Sequence, residues 1–205
     1  MHLCRVQSRA TKEEEDVCPF CRTPVPTSDE EYIKRYEKRV ELNDPIGILE
    51  LGLYYSNGSH GLPPNQAKAF ELLHRAAELG NADAYYHVGI AYYNGRGVER
   101  DEKKAIECWE LAAVEGCIEA RASLGISEGH AGNMDRALKH FMISIKDGDS
   151  DSLKKVKQLY QIGYATKDDY AKALRFYRAY LDEIKSEQRD EAAAADGNKY
   201  YDSAV

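Results

Sequence analysis

A motif of small and aromatic residues returns at a nearly regular interval along this chain. Leu51-Gly52-x-x-Tyr55-x-x-Gly58 is repeated as Val88-Gly89-x-x-Tyr92-x-x-Gly95, and two more worn copies follow. Each copy leads to a basic residue and an alanine, and these alanines are Ala69, Ala105, Ala137 and Ala173. The steps between them are 36, 32 and 36 residues. A period of this size predicts stacked helical units that share a continuous core, and not a single-core enzyme domain.

Each repeat is predicted to consist of a helix A, a turn and a helix B. An opening helix begins at Ser28, which forms a capping box with Glu31. The A helices are placed at 45–57, 82–94, 118–129 and 150–163, and the B helices at 66–80, 102–116, 134–148 and 168–185. The residues expected to cap the B helices are Asn65, Asp101, Asn133 and Asp169.

Glycines in the middle of three A helices indicate a close approach between helices. Gly52, Gly89 and Gly125 each lie where glycine costs about 1 kcal/mol relative to alanine. A repeated cost of this kind suggests that a neighbouring helix passes close by. We expect the small partners to be the alanine pairs Ala76-Ala77 and Ala112-Ala113.

The composition argues against several classes of partner. The net charge of −7 argues against nucleic acid, because binding to phosphates needs a concentrated basic surface. The basic residues between Lys34 and Arg39 are interleaved with glutamates, as on a solvated helix face. No run approaches the roughly 18 apolar residues of a membrane span, and Met1 to Ala10 contain no apolar signal sequence. We therefore expect no nucleic-acid or membrane partner and a cytoplasmic or nuclear location.

The second repeat carries the densest pattern, Ala84-x-x-x-Val88-Gly89-x-x-Tyr92-x-x-Gly95-x-Gly97-Val98-x-x-Asp101-x-x-Lys104-Ala105. This pattern resembles a Sel1-like repeat, a relative of the tetratricopeptide repeat, and residues 44–80 form another clear copy. The resemblance implies an all-α, right-handed α/α superhelical solenoid of about nine helices that acts as an adaptor for macromolecular complexes. We assign the solenoid to residues 28–187, and a helical extension with a disordered tail to 188–205.

The N-terminal segment, residues 1–27, carries a second and shorter resemblance. Cys18-Pro19-Phe20-Cys21 looks like the last ligand pair of a RING-type zinc finger, and Cys4 is a further candidate ligand. Most of the eight ligands of such a finger are missing, so we expect a poorly ordered remnant. The chain is expected to begin inside an ancestral finger or to be truncated. No cofactor is expected, and zinc would bind only if missing residues or another chain complete the finger.

No catalytic constellation is evident in the sequence. The histidines on predicted helices or at their ends, His74, His87, His130 and His140, have no cysteine or serine at nucleophile spacing. Packing or simple exposure is the favoured interpretation of each, because a real site must pass several geometric tests. We therefore expect neither enzymatic activity nor a small-molecule substrate.

A candidate binding face follows from the resemblance to tetratricopeptide proteins, whose inner groove is lined by A helices. In the second A helix the residues left for a ligand are Asp83, Tyr86, Ile90, Tyr93 and Asn94, which share one face. In the fourth A helix they are Lys154, Gln158 and Gln161. Tyrosine with a few charges is common interface chemistry. An equally good interpretation is that Tyr86 and Tyr93 only cover the inner wall of the groove and bind no ligand.

Two functions remain after these exclusions. The first is a non-catalytic scaffold or adaptor that binds a protein or peptide segment on its concave face. The alternative is the substrate-recruiting part of a RING-type E3 ubiquitin ligase whose zinc finger is truncated in this chain.

Overall fold

The computed structural model describes residue 26 and residues 28–184, and this part of the chain folds into nine α-helices and no strands. The helices are α1 (Asp29–Glu41), α2 (Pro45–Asn57), α3 (Gln66–Glu78), α4 (Ala82–Asn94), α5 (Glu102–Val114), α6 (Ile118–His130), α7 (Met134–Lys146), α8 (Ser150–Gln161) and α9 (Lys167–Ile184). The all-α solenoid is thereby confirmed. The predicted tail at 188–205 lies outside the described residues.

Three helix starts follow the predicted capping chemistry. The Ser28 hydroxyl accepts a hydrogen bond from the backbone N–H of Glu31 at 3.2 Å at the start of α1. Asn65 accepts from the N–H of Lys68 at 3.0 Å, and Asp101 caps α5 in the same way. These side chains satisfy N–H groups that have no partner within the helix, so they determine where the helices begin.

Of the other two predicted caps, Asn133 takes the cap position of α7 but makes no cap bond, and Asp169 is wrong. The Asn133 side-chain amide donates instead to Glu128 Oε2 at 2.8 Å. Helix α9 begins at Lys167, so Asp169 lies inside its first turn. Thr166 Oγ1 accepts from the Asp169 N–H at 3.1 Å, while Asp169 accepts from the Thr166 N–H at 2.9 Å. This reciprocal pair is a capping box with Thr166 at the cap position.

Helices α3, α5 and α7 end two residues earlier than predicted, because the glycine belongs to the turn and not to the helix. Helix α3 ends at Glu78, and Gly80 follows with a φ of 85°. The N–H of Gly80 donates to the carbonyl of Ala77, which closes the helix. Asn43 takes the same place after α1 with a φ of 53°, in agreement with the tolerance of asparagine for the left-handed conformation.

The close approach at the mid-helix glycines is confirmed, but the predicted partners are wrong. Each glycine faces a large side chain of the B helix in its own repeat. A Cβ on Gly89 would lie 2.5 Å from Trp109 Cδ1, and one on Gly125 would lie 2.7 Å from Phe141 Cε1. At Gly52 the neighbour is Leu73. The glycine therefore leaves room for a bulky side chain rather than for a second small residue.

The alanine pairs serve a different contact, between consecutive repeats. Ala76 and Ala77 are buried in one cluster with Ala84 of the next A helix. Ala112 and Ala113 are buried in another cluster with Ala120. Each helix thus packs on its neighbours in sequence, most extensively within the pairs α2–α3, α4–α5 and α6–α7. None of the helices described has the length and apolar character needed to cross a membrane.

Candidate functional site

The predicted binding residues of α4 lie beside the buried ring of Trp109. We call this ring and the cluster around it the Trp109 wall. Tyr86, Ile90 and Tyr93 are half-buried against the cluster that contains Trp109, whereas Asp83 and Asn94 are exposed. Trp109 Nε1 donates a hydrogen bond to the Tyr86 carbonyl at 3.2 Å. The Tyr93 and Trp109 ring centroids are 5.4 Å apart. The two tyrosines are therefore held in fixed positions and expose only part of each ring.

Helix α6 continues this face with two polar residues that the sequence analysis missed. Tyr93 Oη lies 3.3 Å from His130 Nδ1. The Tyr86 hydroxyl hydrogen-bonds with Ser123, while burial raises the pKa of Tyr86. His130 could have been found, because it lies one repeat step of 36 residues after Asn94, whereas Ser123 follows His87, which is not among the predicted residues.

An exposed apolar side chain lies on the same face of α6. Ile126 is 36 residues after Ile90 and is 39% exposed. Ile90 itself is half-buried against the Trp109 cluster. The two isoleucines therefore bring a partly solvent-accessible apolar strip next to the tyrosines.

The predicted residues of α8 extend the face by one more A helix. Lys154, Gln158 and Gln161 are all exposed. Lys154 Nζ pairs with Asp151 at 2.7 Å within the same helix, so its charge is partly balanced. We use the name A-face for the eight predicted residues together with the α6 residues Ser123, Ile126 and His130.

Burial shifts the pKa of three titratable groups in and next to α4 and α5. Burial lowers the pKa of His87, opposed by the nearby carboxylates of Asp83 and Glu119. Burial also raises the pKa of Cys117 to about 11 and raises the pKa of Cys108. Both thiols are therefore protonated at neutral pH, and a protonated thiol is a poor nucleophile and a poor metal ligand.

Residues 28–184 contain no group of three or more His, Cys, Asp or Glu side chains that could hold a metal ion. The candidate zinc ligands Cys4, Cys18 and Cys21 lie outside the described residues, so the prediction of a zinc-finger remnant stays a prediction.

Comparison with known families and structures agrees with the repeat architecture. The Sel1 repeat family matches residues 45–81, 82–116 and 158–179. A Sel1 repeat protein from Oxalobacter formigenes has a similar structure, with a TM-score of 0.62 and 26% sequence identity. The match covers 76% of this chain and 64% of that protein.

Two curated relatives share shorter stretches with the chain. Chitin synthase regulatory factor 3 of Schizosaccharomyces pombe is 29% identical over 85 residues, which are 42% of this chain. The ERAD-associated E3 ubiquitin-protein ligase component HRD3B of Arabidopsis thaliana is 40% identical over 63 residues, or 31% of this chain. The matches span 9% and 10% of the length of these relatives.

Sel1 repeat proteins act as scaffolds for protein–protein interactions, and the Sel1 fold is typically non-catalytic. The glycine-centred helix pairs, the family match and the structural likeness agree with one another. On these grounds residues 45–116 and 158–179 are Sel1 repeats, and the described chain is built as an all-α solenoid.

Proposed function

We propose that the chain is a non-catalytic adaptor that binds a protein or peptide segment on the A-face. The observation that supports this best is the tyrosine pair on the Trp109 wall. Tyr93 contacts the Trp109 ring and His130, and Tyr86 packs on the same cluster, so binding would order few additional side chains. Aromatic side chains that are fixed before binding give contact area at a low entropy cost.

The chemistry of the A-face suits an extended segment with both apolar and polar groups. Ile90 and Ile126 offer apolar contact beside the tyrosine rings. The exposed amides of Asn94, Gln158 and Gln161 can hydrogen-bond with a peptide backbone. The tyrosine hydroxyls already have partners on α6, so the ring edges are the parts available to a ligand.

Site-specific photo-crosslinking tests this proposal. A photoreactive amino acid is placed in the full chain at Asn94 or Gln158 on the A-face, and at Lys139 or Arg175 on the B helices as exposed controls. We expect one partner to be crosslinked from the A-face positions and not from the control positions. Equal crosslinking from both sides, or none from the A-face, would contradict the proposal.

A substitution on the purified complex then tests the same face quantitatively. Ile126→Asp removes exposed apolar contact without disturbing the Trp109 wall, which a truncation of Tyr93 would disturb. We expect the affinity for the crosslinked partner to fall roughly tenfold or more, as for a residue near the centre of an interface. An unchanged affinity would place the partner elsewhere.

The likeness to HRD3B favours one alternative, in which the chain recruits substrates to a ubiquitin ligase. The N-terminal cysteines would then belong to a RING-type finger completed by residues or chains not present here. Zinc content of the purified 205-residue protein tests this alternative. About one equivalent of zinc, lost on replacing Cys18 and Cys21 by serine, would support it, and absence of zinc would argue against it. We also propose a cytoplasmic or nuclear location, which imaging of the tagged chain would check.

A further inference from the structure

A second concave surface lies away from the A-face, where α5 runs beside the end of α3 and the start of α4. It is a groove open to solvent, with a volume of about 660 Å³. We call it the α5 groove, and its lining residues are Gly80, Tyr85, Glu107, Glu110, Leu111, Val114 and Glu115. None of these residues belongs to the A-face.

The α5 groove contains exposed apolar side chains, which the rest of the described chain does not cover. Leu111 is 51% exposed and Val114 is 79% exposed. They are three residues apart and therefore share one face of α5. Leu79, at the adjoining turn, is 45% exposed. The opposite face of α5 is already buried, because it carries Trp109. Leu111 and Val114 thus contribute little to the core and form an apolar strip on the surface.

The rim of the α5 groove is acidic. Glu107, Glu110 and Glu115 line it, and no lining residue is basic. Within residues 28–184 these three glutamates form no salt bridge. At the end of α3, Glu78 Oε1 lies 3.4 Å from His74 Nδ1. The groove therefore combines an apolar strip with a negative rim.

We propose that the α5 groove docks a short cationic amphipathic helix of a partner protein. Apolar residues of such a helix, spaced three or four apart, would cover Leu111 and Val114, and flanking Lys or Arg side chains would face the glutamates. Complementary charge gives such a contact its specificity and speeds encounter. The same charge opposes nucleic acid and anionic membranes. The proposal is independent of the A-face and gives the solenoid a second binding surface.

Fluorescence anisotropy with the purified full chain tests this proposal. The probe is a labelled synthetic helix of about 18 residues, or five turns, with leucine on one face and lysine on the other. We expect saturable binding that weakens as salt is added. A peptide with glutamate in place of each lysine should not bind. Absence of binding by the lysine peptide, or equal binding by the glutamate peptide, would overturn the proposal.

Matched variants locate the binding. The double substitution Leu111→Ser and Val114→Ser should weaken binding at least tenfold. Ile143→Ser is the control, because Ile143 lies one repeat step of 32 residues after Leu111 and is 41% exposed. It should leave the affinity unchanged, as should Ile126→Asp on the A-face. Glu110→Lys leaves the apolar strip intact and should also weaken binding. If the double variant or Glu110→Lys binds as tightly as the original chain, the groove is not the site.

Discussion

The helix pairs α4–α5 and α8–α9 occupy equivalent places in the repeat, but they pack differently. In the first pair, Gly89 on α4 lies against Trp109 on α5, and Trp109 is 4% exposed. In the second pair, 68 residues further on, Lys157 replaces the glycine and Tyr177 replaces the tryptophan. Lys157 is exposed and Tyr177 is only half-buried. Without the glycine there is no space in the A helix for a large ring.

Helix α9 also has a smaller buried face than α5, which packs on α6 as well as on α4. Ala173 is the one residue buried in the described α9, whereas α5 buries Ala105, Trp109, Ala112 and Ala113. Helix α9 gains a contact from outside its own pair, because the Tyr180 ring occupies the space next to Gly148 in the turn between α7 and α8. The comparison teaches that a repeat can lose its central glycine and remain helical, but its helices then share less of the core.

Buried serines also distinguish the C-terminal repeats from the earlier ones. Ser144 and Ser152 are buried at positions where earlier repeats have Ala112 and Ala84. The Ser144 hydroxyl donates to the carbonyl of His140 at 3.3 Å. Ser152 Oγ is buried without a hydrogen-bond partner. The C-terminal repeat therefore carries an unsatisfied polar group at a position where the N-terminal repeats carry a methyl group.

The largest effect is expected for Trp109→Ala. Removing this buried ring should lower the free energy of unfolding by about 3–5 kcal/mol. Tyr177→Ala, at the equivalent place in α9, should cost less than half as much because that ring is already half in water. Urea denaturation of both variants measures the difference. Equal losses would mean that the two pairs share the core equally and that the comparison fails.

Gly89→Ala should have the second largest effect. The new methyl group would overlap the Trp109 ring, so we expect a loss of about 1–3 kcal/mol and a lower melting temperature. Lys157→Ala is the matched control at the exposed equivalent position and should change stability by less than about 0.5 kcal/mol. Thermal unfolding followed by circular dichroism measures both. A melting temperature unaffected by Gly89→Ala would contradict the close approach.

Ser152→Ala is expected to stabilise the C-terminal repeat. It removes the unsatisfied hydroxyl and should raise the free energy of unfolding by about 1 kcal/mol. Ser144→Ala should have little effect, because it removes a hydroxyl that has a partner. Hydrogen exchange of the α8 and α9 amides locates the change. Faster exchange in Ser152→Ala would show that the hydroxyl has a partner after all.

The smallest effect concerns pH. Burial lowers the pKa of His87 in α4, and burial together with Arg121 and Arg136 lowers that of His140 in α7. The folded state therefore takes up protons less readily than the unfolded state. Stability is fully present above the ordinary histidine pKa of about 6.5 and falls as the pH falls below it. His87→Gln and His140→Gln should each reduce the fall in melting temperature between about pH 7 and pH 5. An unaltered pH dependence in both variants would exclude these histidines as its source.

Much of the helix placement could be predicted from the sequence, because it depends on local chemistry. Asn65 and Asp101 cap helices through side chains that reach only three residues along the chain. The cap of α9 was predicted wrongly, because two residues near the start of this helix can each act as a cap. Thr166 and Asp169 are both good cap residues, and Thr166 takes the cap position while Asp169 bonds back to it. The Thr166-x-x-Asp169 spacing is itself a capping-box pattern, like that of Ser28 and Glu31, and it indicates Thr166 as the cap.

The candidate binding face was predictable only in part. The spacing places Tyr86 and Tyr93 on one side of α4, and this much is a property of any helix. Their burial depends on how α4 crosses α5 and α6, since Trp109 and His130 are 16 or more residues away from Tyr93 in sequence. That crossing is a tertiary property.

By itself, the sequence determined the all-α repeat architecture, the order of the helices and most of their starts, because helical period and capping act over a few residues. Only the tertiary structure decided which side chain fills the space at Gly89 and which apolar residues of α5 stay in solvent. Both outcomes follow from the distance between helix axes, which is set by the largest side chain that fits between the helices. A glycine permits a close approach but does not specify what approaches it.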